Sequence, residues 1–323
     1  MLTCLGTALA ACVSLLAQPA ATASKPVDQS MIRRLGYPEG SKLLIVHGDD
    51  FGEWHGVNTA TIEALEQGAL TSASMMVPCP WFPEAAAFAR THPGADLGLH
   101  LTLTSERTAY RWGPVALGST PRTLLDKEGY FHAAPSRFPA DLNAREVEIE
   151  IRAQIERARR LGVKPTHLDS HQGALYSSRA LFERFLKVGG EYGIPVMVSR
   201  TNGHGAEWIG DETTLPPHAV VVNRISIPSD TPAASWNAFY TNAIKAMKPG
   251  LTLLVVHLAH ANDETIAGTA ERATWGAAWR QRDFDYVTSA ALKSLVADEN
   301  IHLVTWRQVG RAIGLSRATI EGR

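Results

Sequence analysis

Eight short apolar runs, separated by helix-like stretches, constrain this chain more than any other feature. They lie at residues 43–47, 70–77, 97–103, 166–170, 195–199, 220–225, 251–257 and 301–305. Their length and branched residues suit strands buried on both faces. Residues 57–67, 83–90, 145–161, 181–192, 235–247 and 284–298 read as helices, and a short helix is expected from Arg307. The clearest is 145–161, where Val147, Ile151, Ile155 and Ala158 form one apolar face before Gly162. Such alternation calls for parallel strands with helical crossovers. Eight units in 323 residues predict an α/β fold, a (β/α) barrel in regular or distorted, TIM-barrel-like form. A doubly wound open sheet is the alternative. In either fold the C-terminal strand ends build the functional site.

The domain organisation follows. Residues 1–23 carry no charged side chain, are rich in Ala, Leu and Val, and end in Ala21-Thr22-Ala23, a small-x-small pattern. This predicts a signal peptide and export to the periplasm or exterior. Leu9-Ala10-Ala11-Cys12 offers lipoprotein processing as a second route. Residues 24–40 read as an N-terminal arm and 41–315 as the barrel domain. Residues 104–143 lack periodicity and hold four prolines and several aromatics, so a long irregular insertion is expected there, of the kind that forms functional loops. Of three cysteines, only Cys79 follows Ala23, which leaves neither an internal disulfide nor a thiolate metal site.

The formal net charge is -1, from 31 basic and 32 acidic residues. With no basic excess, nucleic acid and anionic membranes are poor partners. No transmembrane span is expected in the mature chain, and a homo-oligomer is compatible with the composition.

Chemistry-bearing residues collect at the strand ends. The first apolar run leads into Asp49-Asp50-Phe51-Gly52; the third contains His100; the fourth carries His167, Asp169 and His171; the seventh ends at His257, with His260 close behind. Adjacent carboxylates raise each other's pKa, and a metal or a catalytic proton is a usual reason to accept that cost. One carboxylate and two neutral imidazoles form a ligand set for a divalent ion such as Zn²⁺ or Mg²⁺. The second carboxylate then serves as base and a further histidine as acid, the equipment of metal-assisted amide or ester hydrolysis. Which carboxylate takes which role stays open on these grounds, as does the choice of His257 or His260. Asp169 is a candidate to orient a histidine through its ring N–H, and His47 reads as structural. Trp54, Tyr110, Trp112 and Tyr130 are candidates either to anchor packing or to stack on a substrate ring.

Asp49-Asp50-Phe51-Gly52 after an apolar strand, residues 98–104 around His100, and residues 164–171 up to His171 resemble, in order, the motifs of the YdjC-like carbohydrate deacetylases, which include chito-oligosaccharide deacetylases. Residues 282–289 resemble that family's C-terminal segment. The resemblance implies a distorted barrel, a divalent metal and an N-acetylated oligosaccharide substrate. It implies Asp50, His100 and His171 as metal ligands, Asp49 as catalytic base and His257 as general acid. The chain departs from the family in carrying His47-Gly48 where Asn-Ala is usual, and Val256-His257-Leu258-Ala259-His260 where Cys-His-Pro is usual. The alternatives are another metal-dependent ester or phosphate hydrolase on the same fold, or a carbohydrate-binding protein with weak activity.

Overall fold

The computed structural model describes residues 30–116, 122–199 and 214–315. The expected signal peptide at 1–23 lies outside the described residues. All eight expected strands are present: β1 (Lys42–Phe51), β2 (Ser72–Met75), β3 (Leu97–Leu101), β4 (Leu168–Ser170), β5 (Val196–Ser199), β6 (Ala219–Ser226), β7 (Gly250–Val256) and β8 (Ile301–Leu303). Every pairing between them is parallel.

The ring closes with seven strands. Their order is β2-β3-β4-β5-β6-β7-β1, and β1 pairs with β2 to complete the barrel. The eighth strand does not enter the ring. It pairs with Lys42–Leu44 at the start of β1, while β2 pairs with the same edge of β1 from His47 to Phe51. A three-residue β8 covers only the lower part of that edge, and this is the distortion of the barrel.

Ten helices occur among the described residues: α1 (Ser30–Arg34), α2 (His55–Glu66), α3 (Phe82–Thr91), α4 (Ala144–Arg160), α5 (Arg179–Tyr192), α6 (Trp236–Lys245), α7 (Asp263–Thr269), α8 (Ala277–Val287), α9 (Ala290–Asp298) and α10 (Trp306–Ala312). The expected helix at 284–298 is two helices, because Ser289 caps α9 by accepting a bond from Leu292 N. The described part of the expected arm contains α1, whose Ile32 is fully buried with Trp306 and Val309 of α10. No described helix is long and apolar enough to cross a membrane.

The barrel interior is divided. Leu43, Ile45, Val220, Val222, Leu251, Leu253 and Val255 fill one side with apolar side chains. Ser72, Ser74, His47, His100, His167 and Asp169 are also buried, which makes the β1–β4 side polar. Gly98 leaves room for this: a Cβ there would lie 2.3 Å from the His167 ring. That ring in turn stacks on Trp306 at 4.9 Å.

The 104–143 segment is irregular, with short 3₁₀ turns at Arg122–Leu124 and Pro135–Arg137. Side chains of α4 hold it to the barrel. Val115 N and Ala116 N donate to Glu150 at 3.0 and 2.9 Å, and Thr123 N donates to Glu146 at 2.8 Å. Burial pushes the Glu150 carboxyl up to about 7, against the pull of those N–H donors and Gln154. Because its folded pKa lies above its unfolded value, the folded state binds the extra proton between the two. The stability Glu150 contributes is therefore full at low pH and falls as pH rises through 7. Urea unfolding across pH 4.5–8 should show the wild type losing stability relative to Glu150→Gln as pH rises. A pH-independent difference would contradict this account.

Candidate active site

The site begins with an irregularity in β1. Gly48 pairs with Ala73 and Phe51 with Met75, so three steps along β1 match two along β2. One extra residue is accommodated, and Asp50 takes it up at φ 66. Along a regular strand Asp49 and Asp50 would face opposite sides. With the bulge both side chains line one cavity of about 660 Å³ at the C-terminal end of the barrel. The turn beyond is held by Glu53 N donating to Asp50 O at 2.9 Å and Gly52 N donating to Asn58 Oδ1 at 2.7 Å.

Three of the expected residues converge. Asp50 Oδ1 lies 3.5 Å from His100 Nε2 and 3.4 Å from His171 Nδ1. His100 projects from β3. His171 follows β4 directly, at a turn where Gln172 and Gly173 have positive φ. Asp50, His100 and His171 are all buried, with ligand atoms within 4.8 Å of one another. Each imidazole is oriented by a carboxylate on its far side. His100 Nδ1 donates to Asp169 Oδ1 at 2.7 Å, and His171 Nε2 donates to Glu106 Oε2 at 3.1 Å. The other nitrogen of each ring faces Asp50, the arrangement typical of metal-binding histidines; Asp169 and Glu106 outweigh burial and raise both imidazole pKa values, so a cation would displace a proton from that nitrogen.

These residues fit a divalent cation. Asp50 Oδ1 is buried without a hydrogen-bond donor, while Asp50 Oδ2 accepts from Arg280 Nη2 at 2.7 Å. Burial alone would raise the Asp50 pKa, but Arg280 and then His171 drag it well below the usual carboxylate range. One ionised oxygen and two imidazole nitrogens thus stand ready as ligands.

Asp49 stands beside this group. Its Oδ2 is 3.9 Å from His100 Nε2 and 3.8 Å from His257 Nε2, and its Oδ1 is 3.1 Å from His47 Nε2. The same His47 nitrogen lies 3.0 Å from Asp169 Oδ2 and 3.1 Å from Ser74 Oγ. Burial would lower the His47 pKa, but Asp169 and Asp49 outweigh it and raise it to about 9. His47 is therefore a buried cation beneath the site, tying Asp49 to the carboxylate that orients His100.

His257 lines the cavity, and burial pushes it down to about 4, so it is neutral at rest. Its backbone N–H donates to Asp283 Oδ2 at 2.9 Å; the other oxygen of Asp283 accepts from Trp236 Nε1 and Tyr240 Oη. His260 lies 3.0 Å from Glu63 and packs on Phe284, away from the cavity lining. His167 is fully buried below the site, between His47 and Trp306.

The sequence reading missed Glu106, Arg280 and Asp283. Arg280 Nη2 also reaches Glu53 at 2.9 Å, and Glu53 accepts from Arg107 Nη2 at 3.1 Å. The candidate sugar-stacking aromatics lie elsewhere. Trp54 and Tyr110 stack on each other at 3.8 Å, Trp112 is buried, and Tyr130 packs under Arg111. The cavity is lined instead by Trp275.

Residues 43–298 match the family described as YdjC-like protein. The chain belongs to that family. A carbohydrate deacetylase of Thermus thermophilus is 33% identical over 294 residues, covering 88% of this chain and 99% of the relative. A chitooligosaccharide deacetylase of Klebsiella pneumoniae is 30% identical over 278 residues, covering 83% and 99%. The fold is similar to a crystal structure of an Enterococcus faecalis protein named for cellobiose-phosphate cleavage, at TM-score 0.68 and 23% identity over 83% of this chain and 99% of the other.

The ligand geometry of this YdjC-like chain predicts that Asp50→Ala loses bound metal, read by elemental analysis. Glu106→Gln and Asp169→Asn should keep it with affinity lowered about 10–100-fold, the usual cost of removing a ligand's orienting partner. Full metal retention in Asp50→Ala would disprove the ligand set.

Proposed function

We propose that this protein is a divalent-metal-dependent hydrolase that removes N-acetyl groups from amino-sugar oligosaccharides. The observation carrying this reading is the opening of Asp50, His100 and His171 onto one cavity with a second carboxylate, Asp49, and a neutral imidazole, His257. The naming of the two relatives as deacetylases of carbohydrate and chitooligosaccharide supports the substrate class. Asp50, His100 and His171 would hold the ion, and two imidazoles among three ligands favour zinc over magnesium. When bound, the cation polarises the acetyl carbonyl and acidifies water.

The remaining work falls to side chains. Asp49 is the base that takes a proton from the attacking water. Positive charge at His100 in the metal-free chain, and the His47 cation bonded to Asp49 Oδ1, outweigh burial and keep Asp49 ionised; with a cation on His100, that cation would take over the first of these roles. His257 Nε2, 3.8 Å from Asp49 Oδ2, is placed to receive that proton and deliver it to the departing amine nitrogen. Because burial holds His257 neutral, it is free to accept. The C–N bond breaks, the acetyl group leaves as acetate, and the sugar keeps a free amine. Asp283 fixes the backbone from which His257 projects.

Acetate release from a panel of N-acetylated sugars, measured alongside metal content, tests this. Asp49→Asn should lower kcat by about 10²–10⁴, the range for losing a positioned general base, with metal content unchanged. Full turnover by that variant would refute the base assignment. Release of alcohol or phosphate from ester or phosphate substrates, without acetate from amides, would support another hydrolase. Metal-independent sugar binding without turnover would support a binding protein. Export is part of the proposal: the mass of the mature protein should correspond to cleavage after Ala23, and a lipid-modified Cys12 would indicate the other route.

A further inference from the structure

We propose that Arg224 forms a carboxylate-binding subsite within the same cavity, so that the preferred sugar carries a carboxylate substituent. This rests on the deacetylase reading for the identity of the cavity, but not for the chemistry of the subsite.

Four arginines line the cavity; two are held by carboxylates, and a third, Arg272, is exposed and meets only an aromatic ring. Arg280 is held by Asp50 and Glu53, Arg107 by Glu53, and Arg272 lies over the Trp275 ring at 5.8 Å. Arg224 forms no ion pair among the described residues, and its Nε is buried without a hydrogen-bond partner. Its position is set by the strand. Val220 and Val222 of β6 point into the barrel core, so the two-residue period carries Arg224 and Ser226 to the same inner face, nearer the C-terminal end. Both line the cavity, and Ser226 pairs across to Val255, two residues before His257. An arginine on the inner face of a barrel strand, without a carboxylate partner among the described residues, offers its terminal guanidinium nitrogens to whatever occupies the cavity.

The guanidinium fork selects the ligand chemistry. It matches the two oxygens of a carboxylate, donating parallel N–H bonds. A monoanion is favoured over a phosphate dianion because Arg224 alone among the cavity's non-exposed arginines lacks a carboxylate partner among the described residues, and one guanidinium balances one negative charge. Trp275, in the same lining, offers the apolar ring face that a pyranose packs against. The substrate class that satisfies both groups is an N-acetylated amino sugar bearing a uronic carboxylate or a carboxylate-bearing ether.

Equilibrium binding, read by calorimetry in the metal-loaded full chain with Asp49→Asn to arrest turnover, tests this directly. The probes are N-acetylglucosamine, its 6-carboxylate, its 3-O-lactyl ether and its 6-phosphate. At least one carboxylated sugar should bind about tenfold or more tighter than the neutral one, the scale of a charge-assisted hydrogen bond. Arg224→Gln should remove that preference and Arg224→Lys should keep part of it, with thermal unfolding confirming that both variants fold. Equal binding of neutral and carboxylated sugars, a preference that survives Arg224→Gln, or tightest binding of the phosphate would each overturn the proposal. Acetate release by the wild type separates the two readings. Turnover without a carboxylate preference in binding defeats the subsite alone. A carboxylate preference lost in Arg224→Gln, without acetate from any probe, upholds the subsite and defeats the deacetylase.

Discussion

One extra residue in β1 is the constraint on which the site depends. Two adjacent aspartates are useful together only if both reach the same cavity, and a regular strand forbids that. The bulge between Gly48 and Phe51 resolves the conflict by placing Asp50 at φ 66. A non-glycine residue there costs on the order of 1–3 kcal/mol and persists only where the surroundings over-determine it. Those surroundings are visible: Arg280 bonds the Asp50 carboxylate, Glu53 N bonds its carbonyl, and Asn58 bonds Gly52 N. The geometry of the aspartate pair is thus stored in the backbone of a strand that is itself central to barrel closure.

The same economy of position runs through the neighbouring strands. His100 on β3 and Asp169 on β4 are paired residues of adjacent parallel strands, so their hydrogen bond follows from register. His47 and Asp49 are two apart on β1 and share a face. This leaves His47 between Asp49 and Asp169, where its raised pKa supplies a fixed positive charge. The read-through of the sequence treated His47 as structural. Its placement puts that charge against both Asp49, the proposed base, and Asp169, which orients His100, a proposed ligand.

Much of this was legible in the sequence, for a physical reason. Residues placed by strands lie at fixed offsets from apolar runs, so the positions of Asp49, Asp50, His100, His171 and His257 at strand ends can be read from the sequence. The seven-strand closure was less legible, since the apolar run at 301–305 reads like the others and only its short pairing with β1 reveals that it stays outside the ring. Residues placed by loops and buried helices were not legible. Glu106 comes from an irregular segment with no periodicity to anchor it. Arg280 and Asp283 sit on α8, which buries polar as well as apolar side chains and so lacks a clean amphipathic stripe; the helix was expected to begin only at Phe284. The aromatic candidates failed for a related reason. An aromatic in a loop serves packing as readily as binding, and Trp275 gained its place in the cavity through a turn with φ 55 that no pattern announces.

Charge explains why so costly an arrangement holds together. With every carboxylate ionised and His100 and His171 neutral, as ligands must be, Asp49, Asp50, Glu53, Glu106 and Asp169 face Arg107, Arg280 and a protonated His47 within the connected network. The excess of two negative charges equals the charge of a divalent cation. Buried carboxylates that lack compensation take up protons instead, and burial does push Glu53 upward despite its two arginines. A cation beside Asp50, whose Oδ1 is buried without a hydrogen-bond partner as Glu53 Oε2 also is, would reduce the imbalance in this network. An ion bound there would have a structural as well as a chemical role: it would relieve repulsion between groups that the bulge, the strand register and the 104–143 segment bring together at this end of the barrel.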